Sequence, residues 1–185
     1  IHQNQTLDLV TAFAFNQTRC IIMADRWVAD FFVNNILFRD ISDMAKAFSD
    51  RDAWPQLDHY NDLLRRRIGT IHSLSGAPLE FVPQSNKPTS LDQSYEARIY
   101  LRGEIQTRLY NWHDFFQVMS WTTYPHTKRM INAIHYQALA TRTIDTRRSS
   151  IENCLTLFDE CGAIIVSSDK QLTDMVRNFA WQDLF

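Results

Sequence analysis

The sequence predicts a mainly helical α+β domain with a small, largely antiparallel sheet. Only four glycines occur in 185 residues, so few positions suit the positive φ angles of dense turns, and this favours helices. The hydrophobic content of 45% is enough to build a substantial core in a chain of this length. Short stretches of alternating apolar and polar residues predict the strands, and an all-helical fold is the alternative. We expect one domain over 1–185, with a helical N-terminal part at 1–70 and helices and hairpins at 79–185.

Composition limits the functional classes. The net charge of -2 provides no general attraction to nucleic acid or anionic lipid, so nucleic-acid binding is not expected. Three cysteines without a CxxC pair argue against a disulfide framework and a thiolate zinc site, and they predict a cytoplasmic protein. The apolar run LVTAFAF near the N-terminus is too short to cross a bilayer, so no membrane span is expected.

The first elements are predicted to be helices. Apolar-rich stretches at 7–15 and 20–38 predict two of them, and Ser42 can cap a short helix through Phe48. Pro55 suits the first position of a helix that reaches Arg67. The three arginines that end this helix complement the negative helix C-terminus, and a phosphate or nucleic-acid contact is the alternative.

Three later stretches predict strands. LEFV at 79–82 is a possible strand in a loop-rich region. Alternation within 95–108 predicts a strand, a turn at Arg102 and Gly103, and a shorter strand. CLTLF at 154–158 and AIIVSS at 163–168 predict a second hairpin around the turn DECG. Near-helical spacing of apolar residues in 169–185 predicts a terminal helix that packs on the body.

The stretch from Asn111 to His135 predicts two consecutive helices. Asn111 is a good N-cap and Asp114 completes a capping box, so the first helix begins at Trp112. Pro125 ends it or begins the second, from about His126 to Ala140. The first helix is apolar nearly all round, which predicts burial. The side chains expected to be mainly buried are Trp112, Phe115, Phe116, Met119 and Trp121.

Polar residues form one stripe on the second helix. Lys128, Asn132 and His135 lie at i, i+4 and i+7 and therefore share a face. The apolar stripe is centred about 120° away. The polar stripe either faces water or borders the core and faces the first helix across a cleft. The apolar stripe consists of Met130, Ile131, Ile134 and Ala138.

Several motifs follow one another between Leu79 and Phe185, namely YEARI, NWHDFF, YPHTK, LTLFDECG and WQDLF. This series resembles a bacterial family known as domain of unknown function 3025, and the resemblance implies no assigned activity. Where that family tends to have an Arg-Asp pair before LTLFDE, this chain has Glu152 and Asn153. The family's polar signature falls here on Glu96, Arg108, Asn111, His113, Asp114, Lys128, Asn132, His135, Asp159 and Glu160.

One functional class compatible with these residues is a non-enzymatic binding or interaction domain. Its polar groups would form a buried network around NWHD that ties two helices to a small sheet. The binding residues indicated by the resemblance are Glu96, Arg108, Asp114 and Asn132.

The alternative is a metal-dependent hydrolase that acts on a phosphoester. His113, His135 and one of Asp159 or Glu160 would hold a divalent metal ion. Lys128 and His113 would be the catalytic residues, and Lys128 would stabilise developing negative charge. Both classes predict that the two histidines approach at least one of the acids. Ligand atoms about 2.0–2.2 Å from a common point indicate a metal site, whereas direct bonds of about 2.7–3.2 Å indicate a structural network.

Overall fold

A computed structural model describes residues 26–85, 88–141, 147–162 and 164–184. Within these ranges the chain forms eight α-helices, three short 3₁₀ helices and one two-stranded sheet. The α-helices are α1 (Ser42–Ala45), α2 (Leu57–Ile68), α3 (Tyr95–Arg102), α4 (Trp112–Thr123), α5 (Pro125–Ala140), α6 (Ser150–Cys161), α7 (Lys170–Arg177) and α8 (Trp181–Leu184). The strands are β1 (Glu80–Pro83) and β2 (Glu104–Thr107), and the 3₁₀ helices are Ile36–Ile41, Lys46–Phe48 and Leu91–Gln93. This confirms the predicted mainly helical α+β class.

The chain divides into two compact units. The first spans Met23–Asp159 and contains α1 to α5, both strands and most of α6. Glu160–Phe185 belongs to the second unit, which contains α7 and α8. In the described part of the chain, no helix combines the length and apolar character needed to cross a membrane. The domain boundaries predicted from the sequence stay a prediction.

The sheet is parallel, so the predicted antiparallel arrangement is wrong. Glu80 pairs with Glu104 and Pro83 with Thr107, which fixes the register of β1 against β2. Parallel neighbours need a long crossover connection, and here that connection contains α3. The predicted strand at 79–82 is confirmed as β1, one residue later.

Residues 95–102 form helix α3, so the predicted first strand of this region is wrong. Ala97 and Ile99 are buried, as the alternation of apolar and polar residues predicted. Leu101, the next apolar residue of that alternation, is exposed. Gly103 ends the helix with φ +75° and donates its N–H to the carbonyl of Ile99. The predicted turn and the shorter strand after it are confirmed, because β2 begins directly after Gly103.

Helix α6 replaces the first strand of the predicted second hairpin. Ser149 donates its backbone N–H to the Glu152 carboxylate at 2.7 Å, and the Glu152 N–H reaches the Ser149 hydroxyl at 3.2 Å. This reciprocal pair is a capping box, which starts a helix at Ser150. In the described residues after α6, 164–168 form no strand. The hairpin prediction is wrong, because a local cap outweighs the strand preference of CLTLF.

The predicted N-terminal helices are only partly testable. The stretch 7–15 and the beginning of 20–38 lie outside the described residues. Residues 29–34 form turns before the 3₁₀ helix Ile36–Ile41, so the later part of the predicted helix is wrong. The short helix through Phe48 is confirmed as α1 and the following 3₁₀ helix.

Helix α2 agrees closely with its prediction. It begins at Leu57, two residues after Pro55, because Gln56 and His59 form a capping box. Its end at Ile68 lies one residue beyond the predicted end. The predicted terminal helix is present as two pieces, α7 and α8, of which α7 is capped by Asp169.

The core of the first unit is organised around α4. Asn111 caps this helix by accepting the N–H of Asp114 at 3.1 Å, which confirms the predicted start at Trp112. Phe115 and Met119 are fully buried and Trp121 nearly so, whereas Trp112 and Phe116 are partly buried. The predicted burial is therefore confirmed for the helix as a whole. Among the described residues, seven aromatic rings lie 5.1–6.5 Å from the ring of Phe115. They belong to Trp27, Phe31, Phe48, Trp54, Tyr60, Trp112 and Phe116.

Candidate functional site

Helix α5 turns its polar stripe inward. Lys128, Asn132 and His135 retain only 7%, 2% and 5% of their accessible surface. Met130 and Ile134, from the apolar stripe, are 51% and 39% exposed. Of the two arrangements open to this helix, the water-facing one is therefore wrong. The buried polar side chains must find partners on other elements, since an unpaired buried charge is costly.

Lys128 is held by two neighbouring helices. Its Nζ donates to both carboxylate oxygens of Asp159 on α6, at 2.6 and 2.7 Å, and to Oε1 of Gln117 on α4, at 2.8 Å. The ammonium also lies 5.4 Å from the ring centroid of Trp121, within cation–π range. These contacts pair the buried ammonium with protein groups on both helices.

Asn132 connects α5 to α3. Its Nδ2 donates to the backbone oxygen of Glu96 at 3.0 Å and to Oε2 of the same residue at 2.7 Å. Burial raises the pKa of the Glu96 carboxyl. The hydrogen bond from Asn132 and the nearby side chains of His135 and Lys128 oppose this rise, while the charge of Asp159 adds to it. In the described part of the chain, Oδ1 of Asn132 is buried without a hydrogen-bond partner.

His135 reaches α6 through Thr156. The Thr156 hydroxyl donates to the Glu152 carbonyl at 2.9 Å, so its oxygen remains available as an acceptor. His135 Nε2 lies 3.4 Å from that oxygen, which favours the tautomer with the proton on Nε2. Arg148 donates to the same hydroxyl at 2.5 Å. We call Glu96, Lys128, Asn132, His135 and Asp159, with Gln117 and Thr156, the buried network.

A second cluster lies at the N-terminus of α4. Arg108 donates to Asp114 through its backbone N–H at 2.6 Å, Nε at 3.0 Å and Nη2 at 2.8 Å. His113 Nδ1 lies 2.9 Å from Oδ1 of the same carboxylate, and the His113 side chain is 61% exposed. Burial alone would raise the pKa of Asp114, but the bonds from Arg108 and His113 outweigh it, and the pKa lies below its ordinary value.

The predicted metal ligands are distributed over these two clusters. His135 and Asp159 belong to the buried network, whereas His113 belongs to the Arg108–Asp114 cluster. Glu160 is exposed and falls in the second unit. Over the ranges that the structure describes, no three His, Cys, Asp or Glu side chains form a group that could hold a metal ion. The metal ligand set stays a prediction.

The comparisons with known proteins connect these clusters to a family. A family model for a protein of unknown function, DUF3025, matches residues 79–185, which is more than half of the chain. The chain belongs to the DUF3025 family. Comparisons with curated proteins and with solved structures found no match.

Both polar clusters lie within the part of the chain that matches DUF3025. Two features of this part were not predicted from the sequence. One is the contact of Thr156 with His135, and the other is the helix cap formed by Ser149 and Glu152. The signal that would have found the cap is Ser-x-x-Glu immediately before an apolar run. With the helix α6 assigned, Thr156 and Asp159 lie three residues apart and share a face. Glu152 therefore has a structural role at the start of that helix.

Proposed function

We propose that this DUF3025 chain is a non-enzymatic binding or interaction domain, in which the buried network fastens α3, α4 and α6 to α5. The observation that carries the proposal is the internal pairing of Lys128. Its buried ammonium is bonded to Gln117 and to both oxygens of Asp159, so its charge is already balanced within the protein. The residue that a hydrolase would use for charge stabilisation is thus occupied by internal partners.

The carboxylates support the same proposal. Asp159 has Lys128 on both oxygens, and Asp114 has Arg108 on both. Ion pairs of this kind neutralise the charge that a metal ligand would contribute. Direct bonds of 2.6–3.0 Å join these groups, which are distances between a hydrogen-bond donor and its acceptor and are longer than metal–ligand distances. Because α5 turns its polar stripe inward, Met130 and Ile134 of its apolar stripe are exposed. These side chains give a binding domain an apolar surface for a partner.

The proposal is tested by the free energy of unfolding of Lys128→Met, measured by chemical denaturation. Removing one member of a buried ion pair leaves the other uncompensated, so we expect a loss of about 3 kcal/mol. Arg129→Met is the matched control, because it removes the same charge from the next position of α5. The control should lose less than about 1 kcal/mol, as is usual for residues outside the core. Equal losses in the two variants would remove the support for a structural network.

The alternative function, a metal-dependent hydrolase acting on a phosphoester, is tested by the metal content and the melting temperature of the purified wild-type protein. A resident divalent ion that binds the folded state raises the melting temperature and appears in elemental analysis. We expect no stoichiometric metal after purification and no saturable rise in melting temperature with zinc or manganese ions. One retained equivalent that is lost in both His135→Ala and His113→Ala would replace our proposal with the hydrolase.

A further inference from the structure

A small pocket beside α2 lies outside the part that matches DUF3025. It has a volume of about 40 Å³. A site for one water needs about 10–15 Å³ on this measure, so the pocket accommodates a group of about three water-sized parts. It is lined by Ala47, Phe48, Arg51, His59, Leu63 and Arg66.

The polar side chains of this pocket are donors. The guanidinium groups of Arg51 and Arg66 carry N–H donors and no acceptor. His59 Nδ1 accepts the backbone N–H of Gln56 at 2.9 Å, so the neutral ring carries its proton on Nε2 and donates there. The described residues that line the pocket include no Asp or Glu. The chemical complement of such a lining is an anion.

Arg51 is held in place beside the pocket. Its backbone carbonyl accepts the Trp27 indole N–H at 2.9 Å, and its side chain is partly buried. Because Nε has almost no accessible surface, the Nη groups are the donors that Arg51 can offer to a ligand.

Arg66 makes a long ion pair. Its Nη2 lies 3.8 Å from Oδ2 of Asp62, whose Oδ1 is engaged by Arg65 at 2.6 Å. That separation exceeds hydrogen-bond distance. The Arg66 side chain is 80% exposed and can turn toward an anion without breaking a hydrogen bond to Asp62.

We propose that this pocket binds a phosphate group. A phosphate has several acceptor oxygens, and arginine is over-represented in sites that recognise it. The volume suits the oxyanion alone rather than a whole nucleotide. The group could come from inorganic phosphate or from a phosphomonoester, which share this chemistry. The arginine run at the end of α2 thus has a second role besides its interaction with the helix terminus, and that role does not depend on the buried network.

The test is isothermal titration of the full chain with inorganic phosphate and, separately, with O-phosphoserine, at low ionic strength and constant chloride. We expect saturable binding with one equivalent per chain. Similar affinity for both probes assigns the site to the oxyanion alone, whereas tighter binding of O-phosphoserine assigns it to a monoester. No saturable binding of either probe overturns the proposal.

Two variants and one control locate the binding. Arg66→Gln and Arg51→Gln should each weaken binding roughly tenfold, as expected for one charge-assisted contact. Arg65→Gln removes the same charge from the adjacent position, where the side chain does not line the pocket, and should change the affinity less than about threefold. Arg66→Gln alters an exposed side chain and keeps the test interpretable if Arg51→Gln fails to fold. Equal effects of Arg65→Gln and Arg66→Gln would show general ionic attraction and contradict the proposed site.

Discussion

Lys128 and Asp159 lie 31 residues apart in the sequence, yet Nζ of the lysine contacts both carboxylate oxygens, at 2.6 and 2.7 Å. The lysine ends YPHTK and the aspartate lies within LTLFDECG, so one ion pair joins two separate stretches of the part that matches DUF3025. The side chains of Lys128 and Asp159 are 9% and 23% exposed, which limits the screening of their charges by solvent. The pair ties α5 to α6.

Phe115 should contribute most to packing stability on α4. Its ring is fully buried, and Phe115→Ala should lower the free energy of unfolding by about 3–5 kcal/mol through lost contacts and the cavity left behind. Chemical denaturation measures the loss. The partly buried Phe116 is the matched comparison, and Phe116→Ala should cost less. A larger loss at Phe116 would contradict the described core.

Gly103 should tolerate no side chain. Its φ is +75°, and an added Cβ would lie 1.8 Å from the carbonyl oxygen of Pro78. Gly103→Ala therefore combines backbone strain with a backbone clash, and we expect a loss larger than the 1 kcal/mol or so typical of unfavourable backbone conformation alone. Gly76→Ala is the control, since its φ is +95° but nothing lies within 4 Å of the added Cβ. The melting temperature of Gly103→Ala should be well below that of Gly76→Ala. Equal melting temperatures would contradict the close approach of Gly103 to the Pro78 carbonyl.

Glu96 should make stability depend on pH. Burial raises its folded-state pKa above the ordinary 4.5, so the folded protein binds this proton more tightly than the unfolded chain does. Its contribution is fully present below the ordinary value and is lost as pH rises through the raised pKa. Glu96→Gln cannot titrate, so the variant should gain stability relative to wild type as the pH increases through this window. The free energy of unfolding at several pH values measures the trend.

The control for this pH series is Glu80→Gln, which removes an exposed carboxylate from β1. Its stability difference from wild type should change little over the same window, because solvent screens an exposed charge. A Glu96→Gln variant that instead loses stability relative to wild type with rising pH would contradict the direction of the Glu96 shift.

Sequence periodicity predicted the helices where a local signal was strong. Asn111, Pro125 and Gly103 marked element boundaries that the structure confirms. The strand predictions failed at 95–101 and 154–158, since a few alternating apolar residues also suit one face of a short helix. The parallel pairing of β1 and β2 depends on the intervening helix and could not be predicted once that helix had been assigned as a strand.

The site was predictable in part for a similar reason. Helical spacing placed Lys128, Asn132 and His135 on one face, but spacing alone does not decide whether a face points to water or to the core. Their partners Glu96 and Asp159 lie 36 and 31 residues from Asn132 and Lys128, and only tertiary packing brings them together. His113 was expected on a buried helix, yet its position in the first turn leaves the side chain exposed beside Asp114.

A double-mutant cycle on Lys128 and Asp159 tests the structural role of the buried network most directly. The free energies of unfolding of Lys128→Met, Asp159→Leu and the double variant are compared with wild type. Each single variant should lose about 3 kcal/mol, whereas the double variant should lose less than the sum by at least about 1.5 kcal/mol, because no uncompensated charge remains. Single variants as stable as wild type or more stable, as is common when residues are kept for activity, would contradict a structural network.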